Sequence, residues 1–249
     1  MKKNLYIALA LAALSIPAQA HDLSANVNLT SDYRMRGISM AHGKPSVQVG
    51  ADYARDSGYY VGTLASTITW VKDATGSGTV EVDLYGGKHA LLTEHVGYDV
   101  GAVRIMYPGA GAAPTVTASP NTTEVYAQLG YDLVSAKYSY VVSKNFVGWF
   151  GPNYEDTRGS NYIEVNGSYP LASGYSLSAH LGHQTVKQFS DASYSDWKVG
   201  VAKPFEIGNV SLVVIGTNAN GSCSNADVYC WSNYNVAGTA TVLTFGKVF

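Results

Sequence analysis

Charge is scarce in this chain: Asp, Glu, Lys and Arg make up 14% of its 249 residues. No basic run occurs, so nucleic acid is not an expected partner. No stretch beyond the N-terminal apolar segment is long and apolar enough to cross a bilayer as a helix, which argues against an inner-membrane protein. No Gly/Pro/Ser linker and no low-complexity block divides the chain, so one domain is expected. His-Glu-x-x-His, P-loop and Gly-x-Gly-x-x-Gly contexts are all missing, and neither cofactor nor metal is expected. Cysteine is limited to Cys223 and Cys230, in a polar Asn/Ser/Gly-rich stretch. In an oxidising compartment this pair is expected to close a small loop disulfide. A metal site competes with that reading, but two thiols without nearby histidines make a poor zinc site.

An export signal opens the chain. Lys2 and Lys3 form a basic start, residues 5–14 an apolar core, and Pro17 with Ala18-Gln19-Ala20 a breaker and cleavage site. Residues 1–20 are expected to be removed, leaving His21 first and residues 21–249 as the mature domain. Loss of Lys2 and Lys3 takes the net charge from −2 to −4. No cysteine follows the apolar core, so lipoprotein processing is not expected.

Alternation is the dominant pattern after the signal. From residue 23 to 36, odd positions read Leu, Ala, Val, Leu, Ser, Tyr, Met, and even positions read Ser, Asn, Asn, Thr, Asp, Arg, Arg. A strand sends successive side chains to opposite faces, so one face is apolar and the other polar. Similar stretches predict strands at 23–36, 45–54, 59–71, 79–87, 95–107, 123–131, 135–142, 160–169, 175–183, 196–203, 210–217 and 234–249. Connections after the second, sixth, eighth and tenth are short. Those after the fifth, seventh, ninth and eleventh are long: 108–122, 143–159, 184–195 and 218–233. Short turns at one end and long loops at the other fit an outer-membrane barrel of about twelve strands, all-β, antiparallel and up-and-down. The 19 tyrosines suit aromatic girdles. The final strand ends in Phe249, with Leu243 and Phe245 on the same face, as barrels handed to the outer-membrane assembly machinery do. Lys247 interrupts that face near the strand end, where it can snorkel to the interface.

The segment Ser31-Asp32-Tyr33-Arg34-Met35-Arg36-Gly37-Ile38-Ser39 resembles the opening motif of the TorF-type porin family of proteobacteria. Further matches are Gly43-Lys44-Pro45-Ser46-Val47-Gln48, Gly58-Tyr59-Tyr60-Val61-Gly62-Thr63, Glu81-Val82-Asp83-Leu84-Tyr85-Gly86-Gly87, Tyr107-Pro108-Gly109 and Thr123-Glu124-Val125-Tyr126. The resemblance covers essentially the whole mature chain. It implies an outer-membrane barrel acting as a porin, and it supplies neither a solute nor catalytic residues.

A twelve-stranded barrel has a backbone radius of roughly 12 Å, narrow once side chains enter it. Parity directs Asp32, Arg34, Arg36, Asp52, Glu81, Asp83, Glu124, Glu164, His180 and Lys198 into the lumen. These groups line a pore, with Arg34 and Arg36 at the outer mouth setting ion preference, or they pair across strands and close it. His42, His89 and His95 read as loop or turn residues. Ser178 and His180 on one strand face, with Glu164 nearby, allow a second reading as a lipid or lipopolysaccharide hydrolase. A closed structural or binding barrel is a third. The leading expectation is a non-enzymatic channel in the bacterial outer membrane, passing small hydrophilic solutes, surrounded by outer-membrane lipid and lipopolysaccharide.

Overall fold

The computed structural model describes residues 22–111, 119–149 and 155–249. The signal peptide expected over 1–20, and parts of the long loops expected at 108–122 and 143–159, lie outside those residues. Twelve antiparallel strands close into a barrel. They are β1 (Asp22–Thr30), β4 (Ser46–Ala54), β5 (Tyr59–Thr67), β6 (Val80–Leu91), β7 (Val96–Met106), β8 (Thr122–Tyr131), β9 (Val134–Val141), β10 (Asn161–Pro170), β11 (Ser176–Thr185), β12 (Tyr194–Phe205), β13 (Gly208–Thr217) and β16 (Ala240–Val248). Closure comes from β1 pairing with β16, with Asn26 opposite Val248 and Thr30 opposite Thr244.

Two short hairpins lie outside the wall: β2 (Arg34–Met35) with β3 (Ile38–Ser39), and β14 (Cys230–Trp231) with β15 (Tyr234–Asn235). A one-turn-and-a-half helix α1 (Trp70–Thr75) joins β5 to β6. The connections at one rim are tight: 55–58, 92–95, 132–133, 171–175 and 206–207. Those at the other rim are long and carry both hairpins and α1.

Alternation decides which side faces out. Leu29, Val49, Val61, Leu84, Val125, Ile163, Leu181, Val199, Leu212 and Leu243 are exposed on the exterior. So large an apolar surface has no place in water and suits a lipid surrounding. At the tight rim Tyr53, Tyr59, Tyr131, Tyr169, Tyr175, Phe205 and Phe249 form an aromatic belt. Lys247 is resolved within it: its Nζ lies 5.3 Å from the centre of the Phe249 ring. Lys88 over Tyr59 (4.9 Å) and Lys203 over Tyr175 (4.4 Å) repeat the arrangement.

The first strand departs from expectation. It ends at Thr30 rather than at residue 36, and residues 32–41 turn into the barrel, where all are buried or half-buried. Tyr33 and Met35, whose parity assigns them to the lipid face, therefore lie inside. Tyr33 is buried, and both pack in an interior apolar cluster with Met40, Ile68, Trp70, Val71, Val103, Ile105 and Tyr107. A second cluster caps the outer end through Ile38, Val141, Phe146, Val186, Tyr194, Tyr229 and Val236. The expected Cys223–Cys230 disulfide is present, in the loop that carries Tyr229 and Trp231 into this cap.

Candidate functional site

The lumen changes character along its axis. Toward the tight rim, inward residues are half-exposed and mostly small or neutral, as at Ser24, Asn26, Ser135, Asn166, Ser176, Ser178 and Ser211. In the outer half, inward polar residues are buried: Asn28, Gln48, Ser66, Glu81, Asp83, Thr122, Glu124, Ser139 and Gln184. The interior is closed there by its own side chains and by the β2–β3 hairpin.

That hairpin turns through Arg36 (φ 50) and Gly37 (φ 84), both left-handed, the backbone of a tight two-residue turn whose twist matches its strands. Glycine accepts this conformation readily, whereas arginine holds it at a cost of about 1–3 kcal/mol. Arg36 is kept there by what its side chain reaches. Its Nη2 donates to Glu124 Oε2 at 2.6 Å, and its guanidinium lies 4.3 Å from the Tyr162 ring centre and 5.6 Å from that of Phe146. The Tyr194 hydroxyl donates to the Arg36 carbonyl at 2.9 Å. A Cβ added at Gly37 would meet Thr217 and Asp196, so the turn tip is seated against the wall.

Asp32 and Arg34 complete the anchor. Arg34 Nε donates to Asp32 Oδ2 at 2.6 Å, and its Nη1 donates to the carbonyls of Gly37 and Gly238. The Ser39 hydroxyl donates to the other Asp32 oxygen at 2.5 Å. Asp32, Arg34 and Arg36 thus do not project from a wall strand into an open mouth. They tie down an inserted loop, because the chain leaves the wall at Thr30 and their charges find buried partners.

The other expected lumen residues face inward, as parity required. Asp52 accepts from the Tyr85 hydroxyl at 2.5 Å. Glu81 accepts from Tyr33 at 2.5 Å. Burial, then the charges of Glu81 and Asp83, push the Tyr33 hydroxyl well up, so it remains a donor. His180 uses both ring nitrogens: Nδ1 lies 2.7 Å from Asn166 Oδ1, and Nε2 lies 2.8 Å from Asp196 Oδ2 and 2.9 Å from the Tyr162 hydroxyl. Glu164 accepts from Asn166 Nδ2 at 3.0 Å. Lys198 sits opposite His180 on β12. The Ser178 hydroxyl points instead to the Gly200 carbonyl at 3.4 Å, so the serine and histidine are not brought into a nucleophile–base pair. His89 is not a turn residue: it belongs to β6 and stacks on Tyr60 inside the barrel.

Several interior groups escaped the sequence reading. Asp99, Lys137, Tyr162 and Asp196 share the inward phase of their strands, so alternation alone could have found them. Asp99 accepts from Tyr60, which also bonds Tyr126. Lys137 Nζ lies 4.2 Å from the centre of the Tyr126 ring. Glycines on neighbouring strands make room for these rings. Gly101 faces Tyr126, and Gly182 lies beneath the Tyr162–Asp196 bond. In sum, eight carboxylates (Asp32, Asp52, Glu81, Asp83, Asp99, Glu124, Glu164, Asp196) meet four fixed cations (Arg34, Arg36, Lys137, Lys198) within the described interior.

A closed twelve-stranded antiparallel barrel with an apolar exterior and an ionisable interior has the architecture of a transmembrane β-barrel. Residues 15–247 match Gcw_chp, described as a bacterial protein of unknown function, and the chain belongs to that family. No curated protein sequence matches it. Among solved structures it is similar in fold to the KdgM porin (8% identity, 91% of this chain and 98% of that one, TM-score 0.54). The NanC porin is comparable (8% identity, 91% and 98%, TM-score 0.53). So is the COG4313 outer membrane channel of Pseudomonas putida F1 (13% identity, 93% and 97%, TM-score 0.51).

Proposed function

We propose that this chain is an outer-membrane channel for small hydrophilic solutes, held shut in this conformation by its β2–β3 hairpin and the loops that pack on it. One observation carries the reading: a closed barrel, apolar outside and ionisable inside, whose inner end is lined by half-exposed polar residues and whose outer end is stoppered by the β2–β3 hairpin together with the loops packed on it. The TorF-type resemblance agrees with it, since its opening motif is part of the stopper. In this reading residues 1–20 direct export, the assembly machinery inserts the barrel by its last strand, and the exterior meets phospholipid and lipopolysaccharide.

The excess of carboxylates favours cationic or neutral solutes over anions. This separates the chain from the KdgM porin, one structure of which holds oligogalacturonate, a polyanion. Planar-bilayer recording of the purified protein tests the proposal. Discrete conductance steps with a reversal potential shifted toward cations are expected, more frequent when the hairpin anchor is removed. Silence from both the native protein and an Arg36→Ala variant would overturn it.

A further inference from the structure

The long-loop rim carries its exterior charge on one side of the barrel. Arg104 faces outward near the end of β7, Lys144 follows β9, Arg158 precedes β10 and Lys187 follows β11. All four are exposed, and β7 to β11 are consecutive in the wall. The exterior positions that end the other strands at this rim are Ser31, Pro45, Thr67, Val80, Ser195, Asn218 and Thr241, none of them charged. Two further exposed cations, Lys44 and Lys72, stand in the loops before β4 and β6, next to the His42–Asp73 pair.

Backbone pairing sets the four side by side. Arg104 lies opposite Thr123, whose carbonyl accepts from the Val142 amide at 2.9 Å. The Thr157 amide donates to the Lys144 carbonyl at 3.1 Å, and the Gly159 amide to the Val141 carbonyl at 3.0 Å, which brings Lys144 and Arg158 together. The Lys187 amide donates to Ser160 Oγ at 3.0 Å. Strands about 4.8 Å apart make this row roughly 19 Å wide from β7 to β11. Two of the cations are seated on the wall. Arg104 Nη1 donates to Thr123 Oγ1 at 2.7 Å. The Lys187 stem crosses Gly159, where an added Cβ would lie 3.3 Å from Lys187 Cδ and 3.2 Å from the Tyr140 hydroxyl. Glu155, Asp156 and Asp191 are exposed in the same loops, yet among the described residues none of the four cations is ion-paired. Toward mid-wall the same strands expose Val125, Tyr138, Tyr140, Ile163 and Leu181.

We infer that Arg104, Lys144, Arg158 and Lys187 form a docking surface for the phosphorylated sugar headgroup of lipopolysaccharide, with its acyl chains against the apolar wall of β8 to β11. Unpaired Arg and Lys at a lipid–water boundary find their complement in phosphate, through charge-assisted hydrogen bonds. The lipid anchor of lipopolysaccharide is a disaccharide with a phosphate at each end, so one molecule offers anions to cations on separate strands. A glycerophospholipid has a single phosphodiester and reaches only part of so wide a row. The inference rests on the outer-membrane reading, with the long-loop rim outward, for this lipid to be present.

Thermal unfolding of the refolded chain in detergent tests the surface, with a chelator present so that no divalent ion bridges the charges. The probes are bisphosphorylated lipid A and phosphatidylglycerol, at equal phosphate. A ligand that binds only the folded state raises the melting temperature in a saturable way. Lipid A is expected to do so, and phosphatidylglycerol is not. Arg104→Gln with Lys187→Gln should weaken the apparent affinity for lipid A about tenfold or more, through loss of charge-assisted bonds. Lys44→Gln with Lys72→Gln removes the same charge from the same rim and should leave that affinity unchanged. All four substitutions are at exposed positions, so both double variants should fold. Equal shifts from the two lipids, or equal losses in the two double variants, would overturn the surface. Bilayer recording keeps the two readings apart: lipid-A-specific stabilisation without conductance removes the channel and leaves the surface, and conductance without stabilisation does the reverse.

Discussion

The Arg36 guanidinium donates to Glu124 across 88 residues of sequence, at 2.6 Å, while its own backbone is left-handed. A turn residue in a costly conformation is thus held by a buried ion pair with a carboxylate on β8. The strain and the pair sit at one point, which makes it one of the anchors of the hairpin, beside Tyr33 on Glu81 and Arg34 on the Gly238 carbonyl.

Removing Arg36 should release the hairpin. Arg36→Ala leaves Glu124 buried and uncompensated, a change that typically costs about 3–5 kcal/mol. We expect protease cleavage within 31–45 to accelerate and bilayer conductance to rise while the barrel stays folded. The double variant Arg36→Ala with Glu124→Ala should be less destabilised than the sum of the singles, because neither charge is then stranded.

Gly37→Ala should act on the same element without touching a charge. The new Cβ meets Thr217 and Asp196 and also disfavours the positive φ. The expected result is again an open hairpin, read as conductance, with ion selectivity shifted less than in Arg36→Ala. Conductance unchanged by both variants would show that the hairpin is a fixed strut.

Acid should loosen the outer cap through His42. Its Nδ1 lies 2.9 Å from Asp73 of α1. Burial still lowers its pKa, outweighing Asp73 and Asp32, which raise it, and adding to Lys44, which lowers it. The folded state then binds fewer protons than the unfolded state. Stability from neutral His42 is complete above its unfolded pKa of about 6.5 and declines as pH falls through the lowered folded value. Protease sensitivity of the cap should rise below about pH 6.5, and His42→Gln should flatten that dependence.

Reducing the Cys223–Cys230 disulfide should affect the loop and spare the wall. The bridge closes a seven-residue separation, so its effect on chain entropy is small beside strand pairing. Reduction should expose residues 218–239 to proteolysis, with little change in the melting temperature of the barrel.

Charges placed on the two faces of β1 should differ in cost. Val27 points outward and Asn26 inward. Val27→Arg puts a charge against lipid at about 2–4 kcal/mol, measured by refolding into vesicles, and Asn26→Arg should be better tolerated.

The twelve wall strands were legible because their signal is local. A period of two between turn residues names the strand and both its faces, and loop lengths separate the two rims. Phe249 and the cysteine pair were equally plain. The inward phase of Glu81, Glu124, Glu164 and His180 followed from the same parity. Residues 31–36 mark where that reasoning stopped. Their alternation continues from β1 without a break, and a wall strand and an inserted hairpin have the same period. What turns the chain inward at Thr30 is the set of partners waiting there: Glu124 for Arg36, Glu81 for Tyr33, and the Gly238 carbonyl for Arg34. Those partners lie between 48 and 204 residues away in sequence, so only the closed barrel brings them together. Sequence alone thus determined a barrel with a charged interior. Tertiary structure decided that the outer half of the interior is closed, because only the closed barrel brings the inserted hairpin to the wall residues that hold it, Glu81 and Glu124 among them.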